Sequence, residues 1–400
     1  MRRVVITGAG TVNPLAADVA GTWAALRAGH CAIGPLEMRD VGRLTVRIGA
    51  QIRGWDAAAH LTRAEITMMD PFTQYAVVAA RHAVAQAGLA LSGDLAETTG
   101  AIIGSAGGGL ATMDDNYRAV YQAGKDRVHP FVVPRLMLNA AAAQVAIAFG
   151  VQGPTYAVSS ACSSSNHAIG LAFQQIRSGA ATVMLAGGSD AMLCFGGIKA
   201  WEGLRVLSST GCRPFSLGRD GMVMGEGAAV FVLEERGHAM ARGAEVLAEV
   251  AGFGMTCDAA DMVQPSAVGA ARSMRLALRD AGLAPADIGY VNAHGTGTAA
   301  NDRAEAAALA AVFGTAMPPV SATKSMHGHL MGAAGAVELL ACLMALRDGV
   351  LAPTVGHVPG DPDCRLDVVA NTARTGKVRA VLSNSFAFGG LNAVLALVSA

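Results

Sequence analysis

The sequence predicts an α/β protein assembled from two copies of one unit. Three observations carry that reading. Short apolar runs ending in glycine alternate along the chain with longer, alanine-rich runs of helical spacing. Forty-nine glycines among 400 residues, with 52% apolar and only 15% charged residues, fit a compact enzyme with many tight turns. The chain also repeats itself. Residues 158–170 align without gaps on 320–332, so that Ser159 meets Ser321, Ser163 meets Ser325, His167 meets His329 and Cys162 meets Lys324. Residues 83–89 likewise resemble 277–283. The division is expected near residue 250, giving an N-terminal half over 1–250 and a C-terminal half over 251–400.

Taken in order, residues 3–10 read as a buried strand ending in Gly8-Ala9-Gly10. A dinucleotide-binding loop would need a third glycine at position 13 leading straight into a helix, and Asn13-Pro14 stands there instead. Helices are predicted over 19–28 and 71–87, the second stopped by Gly88, with a loop-rich stretch over 31–70 between them. The strand 100–104 runs into a glycine cluster at 105–109, which is either a tight turn or backbone packed against a ligand. A helix over 136–149 closes at Gly150. A short strand, 155–158, precedes a helix over 168–176 and a strand over 183–190. The loop 212–227 leads to a strand over 228–233, and a new strand over 244–254 opens the second copy.

Composition excludes several classes. Thirty basic and thirty acidic residues cancel, so no field for nucleic acid or a membrane surface is expected. Seven cysteines without CxxC spacing argue against a disulfide framework and a structural zinc site. The start of the chain has too short an apolar run for a signal peptide. No run approaches ~18 unbroken apolar residues, so no membrane span is expected. The setting is expected to be cytoplasmic.

Cys162 falls where the period changes from strand to helix. A helix N-terminus there favours a thiolate nucleophile; the competing reading is a buried, inert cysteine in an alanine-rich helix. Two facing copies would set their strand-to-helix turns side by side. Cys162 from the first half would then share a pocket with His294, Lys324 and His329 from the second, closed by the glycine-rich turn 384–390.

Those residues lie in motifs of some specificity: Ser160-Ala161-Cys162-Ser163, then 292–298 (Asn-Ala-His-Gly-Thr-Gly-Thr), 321–329 and 384–392, in that order. On them the chain resembles the β-ketoacyl-[acyl carrier protein] synthases over its whole length, most closely the synthase II branch. The run 185–191 and the pair Asn301-Asp302 resemble the nodulation-type ketosynthases within it. The resemblance implies a thiolase-like fold, with duplicated βαβαβ halves stacked in five layers, α/β/α/β/α. It implies an acyltransferase that condenses an acyl thioester held on Cys162 with a malonyl thioester, with loss of CO2, in fatty acid, polyene or polyketide elongation.

The same resemblance implies the roles. His294 and His329 donate to the enolate oxygen, Lys324 positions them with Glu338 as its partner, and the backbone N–H groups of Cys162 and Phe388 form an oxyanion hole. Phe388 is the gate and Gly389-Gly390 its hinge. Thr296 and Thr298 contact a phosphopantetheine arm, although Val263-Gln264 after Met262 depart from the usual Thr-Ser. Gly107 and Val132 stand where relatives carry bulky residues and, with Phe386 and Gly389, bound the acyl chain, so long or rigid unsaturated chains are expected. No dissociable cofactor or metal is expected, although Asn292, Glu338, Ser383 and Asn384 match residues that surround a monovalent cation in some relatives. His167 and His327 are read as structural.

The partners implied are an acidic acyl carrier protein, with Arg63, Lys125, Arg127 and Arg205 as candidate contacts, and a second ketosynthase-like subunit. That subunit makes a homodimer or heterodimer through the strand 155–158. Two other readings compete. A thiolase-like degradative enzyme would use a second cysteine where this chain has two histidines and a lysine. A chain-length-controlling partner subunit would lack the nucleophile.

Overall fold

Duplication shows first in the order of the strands. In the computed structural model, which describes residues 1–400, ten strands form the main sheet. Five belong to the first half: β1 Val4–Val12, β2 Thr99–Gly104, β3 Thr155–Val158, β4 Val183–Asp190 and β5 Gly227–Glu235. Five belong to the second: β6 Ala248–Cys257, β7 Tyr290–Asn292, β8 Val320–Ser321, β9 Ala380–Ala387 and β10 Leu391–Val398. The first set runs β1-β5-β4-β2-β3 and the second β6-β10-β9-β7-β8, the same permutation. In each, the first two pairings are antiparallel and the last two parallel. The two sets meet where Val4–Ile6 pairs antiparallel with Ala248–Val250.

Six helices supply the other layers: α1 Pro71–Ala87, α2 Ala140–Phe149, α3 Ser164–Ser178, α4 Ala267–Ala281, α5 Ala299–Phe313 and α6 Ala334–Asp348. Three apolar cores fix their places. The largest puts Ile169 and Phe173 of α3 and Leu339 and Leu343 of α6 between Phe231 of the first sheet and Leu395 of the second. A second core sets Val77 of α1 and Val145 of α2 on the outer face of the first sheet, against Leu185 and Val230. A third sets Met274 of α4 and Leu309 of α5 against Val291 and Leu382 of the second. The result is five layers, α/β/α/β/α. Helix α6 is buried from Ala334 to Ala345, which explains a sequence apolar on nearly every side. No helix is long and apolar enough to cross a membrane.

Glycines set the spacing between layers, and they too are duplicated. A Cβ on Gly8 or Gly10 of β1 would fall 2.1 or 2.0 Å from the carbonyl oxygens of Ala83 and Ala79 on α1. On β6, Gly252 and Gly254 stand in the same relation to Ala277 and Ser273 of α4, at 2.5 and 2.1 Å. The Gly-Ala-Gly of β1 is therefore a site of close helix-on-strand packing, not a phosphate loop.

Several boundaries differ from those the sequence predicts. The helix expected over 136–149 is two, Val132–Leu136 and Ala140–Phe149, because Met137 is extended (φ −66°, ψ 139°). The strand expected from residue 244 starts at Ala248, after a helix over Arg236–Ala241 and a turn at Gly243. The gap-free repeat holds only as far as the strands. Helices α3 and α6 start at 164 and 334, an offset of 170 rather than 162. The extra eight residues form the turns around Lys324–His327 and Met331–Ala333, so Cys162 and Lys324 are not equivalent positions.

Gly10→Ala is expected to lower stability by about 1–3 kcal/mol through overpacking, read as a lower denaturant midpoint at an unchanged slope. Gly42→Ala, where a Cβ meets nothing within 4 Å, is the control. Equal midpoints for the two variants would show that β1 and α1 can separate freely.

Candidate active site

Strand β3 ends at Val158 and α3 begins at Ser164, so the chain reverses direction around Cys162 in five residues. Ala161 sits at φ 50°, in the left-handed region that a non-glycine residue seldom adopts. The serines around it hold that conformation. Ser164 Oγ donates to the Ala161 carbonyl at 2.6 Å and accepts the Ser160 N–H at 2.9 Å. Ser163 Oγ donates to the Leu391 carbonyl at 2.9 Å, tying the turn to β10.

His294 follows β7. Its backbone N–H and that of Gly295 both donate to the Glu305 carboxyl group at 2.8 Å, and Asn384 Nδ2 of β9 donates to the same group at 3.2 Å. Glu305 is a positioning residue that sequence reasoning missed. The available signal was an acid among the alanines of α5, eleven residues after the histidine. Burial pushes its carboxyl up to about 7.

Lys324 is wholly buried. Its Nζ donates to Glu338, to the His294 carbonyl at 2.6 Å and to His294 Nδ1 at 3.3 Å. His329 Nδ1 accepts the Met331 N–H at 3.1 Å. An imidazole nitrogen that receives a hydrogen bond carries no proton, so both rings are Nε2–H tautomers. His329 Nε2 is buried and has no partner within the chain. Cys162 Sγ and one ring nitrogen of each histidine lie within 4.8 Å of one another, and the two rings meet edge to face at 5.4 Å. Burial, and then Lys324, hold both imidazoles well below their ordinary value, so both are neutral at pH 7.

The cysteine departs from expectation. Burial pushes the thiol up to about 11, against the opposing pull of Lys324. The Cys162 backbone N–H adds to that pull, while Asp190 and Glu338 reinforce the rise. At rest Cys162 is a thiol, not the thiolate expected from its place at a helix start.

These three residues open onto a cavity of about 230 Å³. Thr296, Thr298 and Asn301 are among its polar lining residues, the two threonine hydroxyls 2.8 Å apart. Trp201, Met222, Phe386 and Phe388 are among the apolar ones, with Trp201 stacked on Phe388 at 5.8 Å and 22°. Gly389 and Gly390 behind the phenylalanine have φ 78° and 68°, and the Gly389 N–H donates to the Met262 carbonyl at 2.8 Å. Val263 and Gln264 line the wall, so the departure from the usual Thr-Ser lies on the cavity itself.

Other candidates fall elsewhere. Gly107 and Val132 are not in the cavity wall; the space beside Gly107 is filled by Met192. Glu338 reaches the site only through Lys324. Arg205 lies between the lining residues Leu204 and Val206, whereas Arg63, Lys125 and Arg127 do not adjoin the cavity. His327 has both nitrogens bonded, to Gly328 O at 2.8 Å and Thr323 Oγ1 at 3.0 Å, and His167 bonds Ser160 at 2.8 Å. Both are structural. Asn292 Oδ1, Glu338 Oε2, Ser383 Oγ and Asn384 Oδ1 are buried and lack a partner within the chain. An all-oxygen set of this kind fits a hard monovalent cation.

The sequence matches the family models "Beta-ketoacyl synthase, N-terminal domain" over residues 1–239 and "Beta-ketoacyl synthase, C-terminal domain" over 247–357. The chain belongs to the β-ketoacyl synthase family and is an acyltransferase of that class. It is 48% identical to Nodulation protein E of Rhizobium sp. (strain N33), over 99% of this chain and 98% of the relative. It is 40% identical to 3-oxoacyl-[acyl-carrier-protein] synthase 2 of Staphylococcus aureus (strain N315), over 98% and 97%. Among solved structures, the ishigamide ketosynthase/chain length factor aligns with TM-score 0.95 at 37% identity, covering 100% of this chain and 99% of that one. A type II polyketide ketosynthase in complex with its acyl-carrier protein aligns with TM-score 0.91 at 30% identity, covering all of both chains.

A raised thiol pKa fixes a sign. Alkylation of Cys162 by iodoacetamide, followed as mass on its peptide, should climb about tenfold per pH unit from 7 towards 10. A plateau by pH 8 would show that the helix terminus and Lys324 outweigh burial.

Proposed function

We propose that the chain elongates acyl chains by decarboxylative Claisen condensation, with Cys162 as the nucleophile and His294 and His329 as paired donors to the enolate. The observation that carries this is the pair of neutral Nε2–H imidazoles facing one buried thiol. In the first step the Cys162 sulfur attacks the acyl thioester carbonyl. The carrier thiol leaves and takes the proton, so no general base is needed. In the second, a malonyl thioester loses CO2, and the electron pair moves onto the thioester oxygen, where the two N–H groups receive it. Neutral donors stabilise that oxygen without protonating the neighbouring carbon. The carbon then attacks the acyl-cysteine carbonyl. The thiolate that leaves, with its high proton affinity, takes a proton from water. Backbone N–H groups of Cys162 and Phe388 would receive the acyl oxyanion, with Phe388 as the gate.

Substrates in this reading arrive on the phosphopantetheine arm of an acyl carrier protein, with Thr296 and Thr298 along the polar wall. No dissociable organic cofactor takes part. Support for the carrier comes from the relative solved with its own, and for a paired subunit from the ketosynthase/chain length factor. Strand β3 lies at the sheet edge beside a groove lined by Met137, Leu138 and Tyr156, which suits a dimer contact. Asn292, Glu338, Ser383 and Asn384 would hold a monovalent cation through their side-chain oxygens. In this reading the nucleophile belongs to the N-terminal half and the donors to the C-terminal half, whose first strand is β6 Ala248–Cys257. Seven free thiols support a reducing, cytoplasmic setting.

Cys162→Ser should abolish acyl loading and condensation. His329→Ala should cut malonyl decarboxylation by about 10²–10³ while leaving Cys162 open to acylation. Wild-type decarboxylation in His329→Ala would overturn the donor assignment.

A further inference from the structure

The cavity at Cys162 is polar where Thr296, Thr298 and Asn301 line it and apolar where Trp201, Val206 and Met222 do. An acyl chain bonded to Cys162 would pack against those apolar residues, where it escapes water. Behind that wall the same three side chains join a cluster with Met192, Ile198, Met224 and Met331. Met192 stands at the edge of this cluster that meets the glycine turn 105–109. A Cβ on Gly107 would fall 2.6 Å from Met192 Sδ, 2.7 Å from Cγ and 3.1 Å from Cε. The side chain of Met192 therefore occupies the room that any residue at 107 would take.

Two further observations bear on how that wall opens. The turn itself is fixed, because the Asp190 carboxyl group accepts from Ser105 Oγ at 2.7 Å, from the Ala106 N–H at 2.9 Å and from the Gly107 N–H at 3.0 Å. The contact is not sealed core, since Ala106, Gly107 and Met192 are all half-buried. The movable part is an unbranched thioether with three rotatable bonds, meeting a glycine that offers no side chain to lock it.

We propose that Met192 determines acyl-chain length, as an adjustable stop: folded against Gly107 it ends the acyl channel, and rotated away it admits a longer chain. This rests on Cys162 being the acylated residue. It also changes the meaning of Gly107, which removes a fixed barrier without itself leaving an open tunnel.

The test compares loading of short, medium and long acyl-carrier thioesters, read as mass added at Cys162. Met192→Ala should raise long-chain loading about tenfold relative to short. Met192→Ile, stiff at its branched carbon, should lower long-chain loading by a similar factor and leave short-chain loading unchanged. Gly107→Ile should push Met192 into the channel and also lower long-chain loading, and adding Met192→Ala to it should restore the native profile. A native profile in both Met192 variants overturns the proposal, as does a double variant that behaves like Gly107→Ile alone. If the native enzyme takes up no acyl mass on Cys162, the reading of the nucleophile fails first, and this one with it.

Discussion

A single buried cation organises the site. Lys324 has no exposed surface, and its ammonium group is shared among the Glu338 carboxyl group, the His294 carbonyl and His294 Nδ1. A charge taken out of water is costly unless it is paired and hydrogen-bonded, and removing one partner of such a pair typically costs about 3–5 kcal/mol. Each of those contacts therefore constrains its neighbour. The bond to Nδ1 fixes the His294 tautomer. The bond to the carbonyl fixes the turn that carries His294, which Glu305 grips from the opposite side. Burial and, after it, the positive charge of Lys324 keep both imidazoles neutral, each with an Nε2–H to donate.

The duplicated fold delivers these groups to one place. Helices α3 and α6 lie side by side in the central layer, each entered from a strand of its own half. The turn before α3 brings Cys162. The longer connection before α6 brings Lys324 and His329, and the turn after β7 brings His294. Divergence between the halves is concentrated here: the connection before α6 is seven residues longer than that before α3, and it carries Lys324 and His329. The first half keeps its turn short and strained at Ala161, held by serine hydroxyls and by a bond to β10.

Much of this was legible in the sequence because it is local or repeated. Strand-to-helix changes of period mark the turn at Cys162, and helix α1 and strand β4 begin and end where the sequence predicts them. The pooling of Cys162, His294, Lys324 and His329 followed from the repeat. What was not legible depends on burial and on contacts between distant segments. The thiol's high pKa comes from desolvation, which no local pattern records. Glu305 looks like an ordinary helix acid until β7 and β9 close over it. Gly107 reads as an opening, and only the packed structure shows Met192 in the space. The four oxygens without partners, Asn292 among them, lie on three separate segments and become a set only after folding.

Lys324 and the Met331 N–H set both imidazoles as neutral Nε2–H donors facing Cys162. Neutron diffraction on deuterium-exchanged crystals at pH 7 reads those positions directly. Deuterium is expected on Nε2 of His294 and His329, with none on Nδ1 of either ring. Density on Nδ1 of either ring, or on both nitrogens of one, would contradict it.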